Sequence, residues 1–204
     1  MSWAPIPGET PIDPSGLKAK WITNRRELNE AEAQNIRKPL AKYTVAKPTA
    51  RTAPFDFDWC LKLHKEMFGK VWTWAGRIRD FDGQNVGIPH HRIREDLACL
   101  LNDLESWSGY GMDVVEQAVR LHHRAVFIHP FPNGNGRWAR LLSNVWLRRS
   151  GLPLVDWPEP EIGTESPIRS QYIAALQTAD NLADYAPLIE IHQRFLERPT
   201  KNIS

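Results

Sequence analysis

Apolar residues recur at helical spacing along most of the chain after residue 55. One stripe runs over residues 57–68, after Asp56, which is an expected N-cap, and Gly69 is expected to end that helix. Comparable patterns predict further helices over residues 93–107, 113–128, 134–149, 168–179 and 185–195. The chain is therefore predicted to be an all-α bundle.

The segment over residues 113–128 differs from the others because it is apolar around most of its circumference. Such a helix is expected to lie at the centre of a bundle. His122 and His123 fall on it, and His64 falls on the apolar face of the helix over residues 57–68. We expect all three histidines to pack or hydrogen bond inside the core.

The N-terminal part of the chain has a weaker pattern. Residues 1–20 are rich in proline, and a helix with a thin apolar face is predicted over residues 23–40, capped by Thr23. Such a helix must rest on a partner surface. We therefore divide the chain into an N-terminal arm (1–54), a main domain (55–197) and a short tail (198–204).

A single stretch has the pattern of strands. Residues 78–88 place strand-forming side chains on both sides of Asp82-Gly83, a typical turn sequence. A small β-hairpin is therefore predicted, just before Pro89 opens the next helix.

Composition narrows the function classes. A net charge of +2 over 204 residues argues against a dedicated nucleic-acid-binding protein. Cys60 and Cys99 occupy apolar helical positions and are expected to be buried free thiols. No apolar run reaches the roughly 20 residues of a membrane span, and the N-terminus lacks a signal-peptide core. A cytoplasmic location is predicted.

The segment from His129 to Arg140 contains the most specific chemistry. Gly134 and Gly136 allow positive φ and a close approach of backbone to a ligand, just where a helix N-terminus is expected to favour an anion. Arg137 and Arg140 lie three residues apart and can bind further phosphate oxygens. His129 can accept a proton from a hydroxyl group. Together they indicate phosphoryl or nucleotidyl transfer.

This segment resembles the Fic family pattern H-P-F-x-[D/E]-G-N-G-R-x-x-R, and only the acidic position, occupied by Asn133, departs from it. Trp74-Ala75-Gly76-Arg77 and the late Arg169-x-x-Tyr172 also resemble Fic proteins. Further similarity, through Glu27-Leu28-Asn29, Met67-Phe68-Gly69 and Pro132-Asn133, is to the bacterial mobile mystery protein B subgroup. The resemblance covers about residues 10–197 and implies a Fic-type helical bundle with a β-hairpin flap.

The resemblance implies that the protein transfers AMP from ATP to a Ser, Thr or Tyr hydroxyl of a target protein. His129 would be the base, Gly134, Asn135 and Gly136 would form the phosphate cradle, and Arg137 would neutralise the leaving pyrophosphate. Mg²⁺ would bridge the phosphates. The flap would hold the target segment by strand addition, through Arg79, Phe81, Val86 and Ile88.

Asn133 leaves the reaction type open. A carboxylate at this position ligates the metal in typical members, so the neutral amide is expected to weaken metal binding. Doc, a toxin relative, has lysine where this chain has Gly136, and there a γ-phosphate is transferred instead. AMP transfer is the favoured interpretation. The alternatives are phosphotransfer, transfer of another nucleotide, removal of AMP, or a catalytically weak nucleotide-binding regulatory module.

The resemblance also suggests autoinhibition. Many Fic proteins carry an inhibitory helix with the pattern [S/T]-x-x-x-E-[G/N], and Thr23 to Glu27 fits the first five positions, whereas Leu28 departs from the sixth. Glu27 is predicted to pair with Arg140, with Glu30 as the second candidate. A capped surface helix without an inhibitory role is the alternative, and a separate antitoxin protein is a further potential partner.

Overall fold

A computed structural model of the chain describes residues 12–82 and 87–196. Helices account for most of these two ranges, and their order follows the apolar stripes of the sequence. They are α1 (Arg25–Thr44), α2 (Phe57–Phe68), α3 (Ile93–Gly109), α4 (Val114–Ile128), α5 (Asn135–Arg149), α6 (Glu159–Ile162), α7 (Pro167–Leu182) and α8 (Ala186–Arg194). Short 3-10 helices at Pro14–Gly16 and His90–Arg92 complete the regular structure described.

The centre of the bundle is the pair α4 and α5. Helices α3, α7 and α8 pack against α4, and α1 and α2 pack against α5. Every residue from Trp138 to Leu147 is buried, so α5 is enclosed on all sides. The prediction that residues 113–128 form a buried central helix is confirmed, and the Asp113 side chain caps its N-terminus by accepting from the N–H groups of Val115 and Glu116. The loop joining these two helices is consequently held on a rigid base.

The predicted β-hairpin is not seen. Residues 78–82 and 87–88 form no strand, and residues 83–86 lie outside the described part of the chain. The Arg79 guanidinium donates to the carbonyl oxygens of Phe81 and Ile88, which lie on either side of residues 83–86 in sequence, and Asp82 accepts from the N–H of His90 at 2.7 Å. Side chains therefore occupy backbone groups of the described flanking residues that a strand ladder would use.

Helix α1 departs from its prediction in three ways. Its N-cap is Asn24 rather than Thr23, and it continues through Pro39 to Thr44. Its buried face includes two polar residues, Glu32 and Asn35, whereas Leu40 is exposed. The amphipathic pattern misled because these polar groups are satisfied inside: the Asn35 side chain donates to the Glu66 carbonyl and accepts from the Lys70 N–H.

The cysteine prediction is half right, because Cys60 is buried and Cys99 is exposed. Both are free thiols. Over residues 12–82 and 87–196, no helix has the length and apolar character needed to cross a membrane.

Candidate active site

The loop between α4 and α5 begins at His129, which ends α4 in a left-handed conformation with φ 52° and ψ 59°. Its ring Nδ1 lies 3.3 Å from the Val126 carbonyl oxygen. A carbonyl only accepts hydrogen bonds, so Nδ1 carries the proton and Nε2 carries the basic lone pair. Burial lowers the pKa of His129 to about 4, so the ring is neutral near pH 7.

The middle of the loop is held by a residue of α2. The buried His64 ring stacks on Phe131 with 3.6 Å between ring centroids. Its Nε2–H donates to the Asn133 carbonyl at 3.0 Å, and its Nδ1 accepts from the Gly76 N–H at 3.0 Å. Both ring nitrogens are used, and burial lowers the pKa of His64 to about 3. The prediction of a satisfied core histidine is confirmed, and that core contact also supports the loop.

Asn135 closes the loop on itself. Its side chain accepts from the Phe131 N–H at 2.9 Å and donates to the Phe131 carbonyl at 2.8 Å. It is 2% exposed. The Asn135 side chain is therefore a structural brace, and only its backbone N–H can serve an anion.

The loop ends at Gly134, whose φ of +78° lies in the left-handed region. A Cβ built there would lie 2.7 Å from the Phe68 ring, so only glycine fits. Gly136, by contrast, lies inside α5 without a positive φ, which corrects the expectation that both glycines adopt one.

Beyond Gly134, the backbone presents a helix N-terminus to any ligand. The first intrahelical bond is from the Trp138 N–H to the Gly134 carbonyl. Hence the N–H groups of residues 135–137 have no intrahelical partner, and no side chain of the described chain caps this end. An uncapped helix N-terminus of this kind favours an anion, and phosphate binding here stays a prediction.

Arg137 extends from this N-terminus toward α1. Its Nη1 donates to Glu32 Oε2 at 2.7 Å, and its guanidinium lies 4.9 Å from the centre of the Phe68 ring. The other Glu32 oxygen accepts from the Trp72 indole N–H at 2.6 Å. Glu32, Asn133 and Arg137 line a small cavity between α1 and the loop. The first turn of α5 is therefore adjacent to a buried carboxylate.

Arg140 binds a residue of α6 instead of α1. Its Nε and Nη2 donate to the two carboxylate oxygens of Glu159 at 2.8 and 2.5 Å. The predicted pair between Arg140 and Glu27 is not formed, because Glu27 accepts from the backbone N–H of Thr23 at 2.7 Å and so caps its own helix. Thus each arginine of the motif is held by a carboxylate, but neither by Glu27.

The four predicted flap residues do not share one environment. Phe81 is half exposed, Ile88 is buried, and Val86 lies outside the described residues. Arg79 is only 3% exposed and its guanidinium faces inward to backbone carbonyls, which is a correction to its predicted contact with a target. Of the described flap residues, Phe81 alone presents a large exposed apolar surface.

With this geometry in place, comparison with known proteins is informative. Residues 54–147 match the family model described as the Fic/DOC family. Residues 54–147 are therefore similar to Fic/DOC domains.

Two sets of relatives extend this result. The chain is 35% identical over 138 residues to the protein adenylyltransferase fic-1 of Caenorhabditis briggsae, and 38% identical over 135 residues to the protein adenylyltransferase Fic of Drosophila mojavensis. These matches cover 66% and 63% of this chain but 26% and 25% of the relatives. The chain therefore spans about a quarter of the length of the curated relatives it matches.

Solved structures give the same fold. Fic-1 of Caenorhabditis elegans (residues 134–508) superposes with a TM-score of 0.67, at 28% identity, over 87% of this chain and 51% of that chain. BepC, a VirB-translocated effector of Bartonella tribocorum solved with bound AMPPNP, gives 0.66 at 20% identity, over 91% of this chain and 94% of that one. The second similarity shows the fold alone.

Around the loop between α4 and α5, the donor set for a metal is small. Asn133 Oδ1 accepts from the Gly134 N–H at 2.6 Å, and the nearby Glu32 carboxylate is bound to Trp72 and Arg137. Across the described ranges, no group of three or more His, Cys, Asp or Glu side chains could hold a metal. Asn133 Oδ1 is a neutral oxygen of the kind that a divalent ion accepts as one ligand among several.

Sequence reasoning missed Glu32 and Glu159, the two carboxylates that hold Arg137 and Arg140. Glu32 lies four residues after the buried Leu28 and so on the same helical face, which was a usable signal. Glu159 follows two prolines in a connection without periodic pattern, so nothing in the sequence indicated that it pairs with Arg140. The inward direction of Arg79 is likewise invisible without the fold.

Proposed function

We propose that this chain is a protein adenylyltransferase, which transfers AMP from ATP to a Ser, Thr or Tyr hydroxyl of a target protein. One observation carries the proposal: a neutral histidine and an uncapped helix N-terminus stand at the two ends of one short loop, His129 to Gly134. The relatives named protein adenylyltransferases support it.

The chemistry follows from the residues present. The Nε2 lone pair of His129 takes the proton of the incoming hydroxyl, whose oxygen then bonds to the α-phosphorus as the bond to pyrophosphate breaks. The N–H groups of residues 135–137 hold phosphate oxygens as negative charge moves to the leaving group. Arg137 supplies the positive charge closest to that N-terminus.

Mg²⁺ would enter with ATP and offset the phosphate charge. Asn133 would hold it through Oδ1, which retains a second lone pair when the first accepts from the Gly134 N–H. Because the ligand is neutral, phosphate oxygens would supply most of the coordination.

Autoinhibition is the second part of the proposal, with Glu32 in the role predicted for Glu27. The Glu32 carboxylate engages Arg137 in the first turn of α5, at the edge of the anion site. A phosphate and Glu32 compete for the same guanidinium, so α1 would lower nucleotide affinity or productive binding. Glu30, the other candidate, is exposed.

The remaining predictions also belong to this proposal. Target binding by the flap would involve the exposed Phe81, and Val86 lies outside the described residues. The mobile mystery protein B subgroup, a cytoplasmic location and an antitoxin partner stay predictions, and the relatives reported above are animal proteins. Phosphotransfer is less favoured because Gly136 adds no side chain to the anion site.

The test compares two labels. Purified protein and a cell lysate are incubated with ATP labelled on the α-phosphate or on the γ-phosphate. Label from the α-position on protein, and none from the γ-position, is the expected result. Label from the γ-position would establish phosphotransfer, and ATP binding without transfer of either label would support a regulatory binding module.

A further inference from the structure

Arg79 is buried at the point where the flap, the end of α4 and the loop meet. Its guanidinium donates to four backbone carbonyls: to His129 at 2.7 Å through Nε, to Phe81 at 2.8 Å through Nη1, and to Ile88 and Ile128 through Nη2. Its own backbone N–H donates to the Pro130 carbonyl at 3.0 Å. Arg79 therefore ties together segments about 50 residues apart in sequence.

Two of these contacts hold the backbone directly after the Cα of His129, which has an unusual conformation. The residue adopts a left-handed conformation that a side chain with a Cβ disfavours. Such a conformation persists when its surroundings hold it. The Arg79 side chain holds the His129 carbonyl, and the Arg79 backbone holds the next carbonyl along the chain. Both acceptors that follow the His129 Cα are thereby fixed to one residue.

Gly87 adds a contact from the far end of the flap. Its φ is +90°, and a Cβ built on it would lie 2.6 Å from the His129 Cβ and 2.9 Å from Arg79 Nη2. The chain at Gly87 thus passes directly against the catalytic candidate and its arginine. A side chain at position 87 would have to displace one of them.

We propose that Arg79 is a positioning residue for the transfer reaction: it sets the backbone, and hence the ring, of His129 and fixes both ends of the flap against it. The inference rests on the proposed function, in which His129 accepts the target's proton. It concerns activation of the target hydroxyl and not nucleotide binding. The side-chain hydrogen bonds of Arg79 described above go to the flap, the end of α4 and His129, and none goes to the first turn of α5.

A positioning role can be distinguished from a general structural role, because loss of the Arg79 contacts should leave the anion site intact. The anion site is built from Gly134 and residues 135–137, which are held by Asn135 and by α2. Loss of the Arg79 contacts should therefore slow transfer while ATP still binds. An ammonium group in its place keeps the charge but cannot donate along four directions from one planar fork.

The experiment compares Arg79→Lys with Arg77→Lys, a matched control two residues away whose side chain is exposed. Three quantities are measured on the full chain: the rate of α-label transfer, ATP affinity by calorimetry, and the pKa of the His129 ring by NMR titration. For Arg79→Lys we expect transfer to fall at least tenfold, ATP affinity to stay within about twofold, and the pKa of His129 to rise toward 6.5 as the ring enters water. Arg77→Lys should match the wild type in all three.

Unchanged transfer and an unchanged His129 pKa in Arg79→Lys would overturn the proposal, as would a loss of ATP affinity as large as the loss of transfer. If Arg79→Lys does not fold, Gly87→Ala decides: its Cβ would crowd both the His129 Cβ and Arg79 Nη2, so transfer should again fall and the pKa of His129 should again rise while ATP affinity stays within about twofold. If the wild type transfers no AMP, the proposed function fails, and the His129 titration alone then judges the positioning role.

Discussion

The two sides of the loop are held by different kinds of contact. On the histidine side, which comprises His129 to Asn133, backbone carbonyls accept from Arg79 and from the neutral ring of His64. On the arginine side, which comprises Gly134 to Arg140, the two guanidiniums bind the carboxylates of Glu32 and Glu159.

The difference indicates which parts of the site a nucleotide can rearrange. Backbone carbonyls on the histidine side offer nothing that a phosphate would replace, so that side behaves as a fixed frame. Carboxylates on the arginine side occupy the donors that phosphate oxygens prefer. Negative charge from ATP can therefore exchange with Glu32 without disturbing His129. Under the proposed function, preparation for catalysis and control of nucleotide binding would be separated along one short loop.

The largest expected effect comes from removing the base on the histidine side. His129→Ala should lower the transfer rate by about 10²–10⁴-fold, the usual contribution of a general base. ATP affinity, measured by calorimetry, should change little because the arginine side is intact. His91→Ala, at an exposed histidine, serves as the control. Wild-type transfer rates in His129→Ala would assign the base elsewhere.

On the arginine side, Glu32→Gln should act in the opposite direction. The amide oxygen still accepts from the Trp72 indole, but the charge opposing phosphate is gone. A charge-assisted bond of this kind contributes about 1.5–3 kcal/mol, so ATP affinity should rise by roughly 10- to 100-fold. Tm should fall, since Arg137 loses its ion pair. Glu27→Gln is the matched control and should alter ATP affinity little, because Glu27 contacts Thr23. Equal ATP affinity in the wild type and Glu32→Gln would show that Glu32 does not compete with the nucleotide.

Acid should destabilise the fold through two buried histidines, His64 against the loop and His192 in α8, before it affects the arginines. Burial lowers the pKa of His64 to about 3 and that of His192 to about 4, and both side chains are fully buried. The unfolded chain therefore binds more protons between those values and about 6.5, so stability falls as pH drops through this window and is fully present above it.

Each of the two histidines should lower the free energy of unfolding by about 1.4 kcal/mol per pH unit below 6.5. Urea titrations at pH 7.5 and 5.5 measure the drop, in the wild type and in His91→Gln, which should show the same drop. A free energy of unfolding that does not change with pH over this range would mean that these rings are not held neutral in the fold.

The smallest effect is expected where the two sides meet, at Asn133. Asn133→Asp should lower the Mg²⁺ concentration needed for half-maximal transfer by several-fold, because a carboxylate binds a hard cation better than an amide. Transfer rates across a magnesium titration give the value. An unchanged or higher requirement would show that this side chain is not a metal ligand.

The sequence was a good guide wherever a local rule decides the outcome. Apolar periodicity located α2 to α5, and Gly134 marked the start of α5. Contacts between distant segments were less predictable. Glu32 was overlooked because a carboxylate counts as surface in any hydropathy pattern, although Arg137 and Trp72 satisfy it inside.

Arg79 is the opposite case, a residue that was predicted to be exposed to a target and is buried. The resemblance to the Fic flap implied that Arg79 would face a target, whereas its four carbonyl partners become neighbours only when α4 and the flap meet. At the same place, residues 78–82 and 87–88 form no strand, and the Arg79 side chain occupies the carbonyls of Phe81 and Ile88. A sequence pattern cannot register donors satisfied 50 residues away.

The most direct test measures α-label transfer by four proteins in parallel: wild type, Glu32→Gln, His129→Ala and the double variant. Glu32→Gln should label protein at least tenfold faster than the wild type, since the arginine side is released and the histidine side is untouched. The double variant should fall to the level of His129→Ala, because the released site still needs its base. Equal labelling by Glu32→Gln and the double variant would contradict the assignment of transfer to His129, and no label in any of the four would contradict AMP transfer itself.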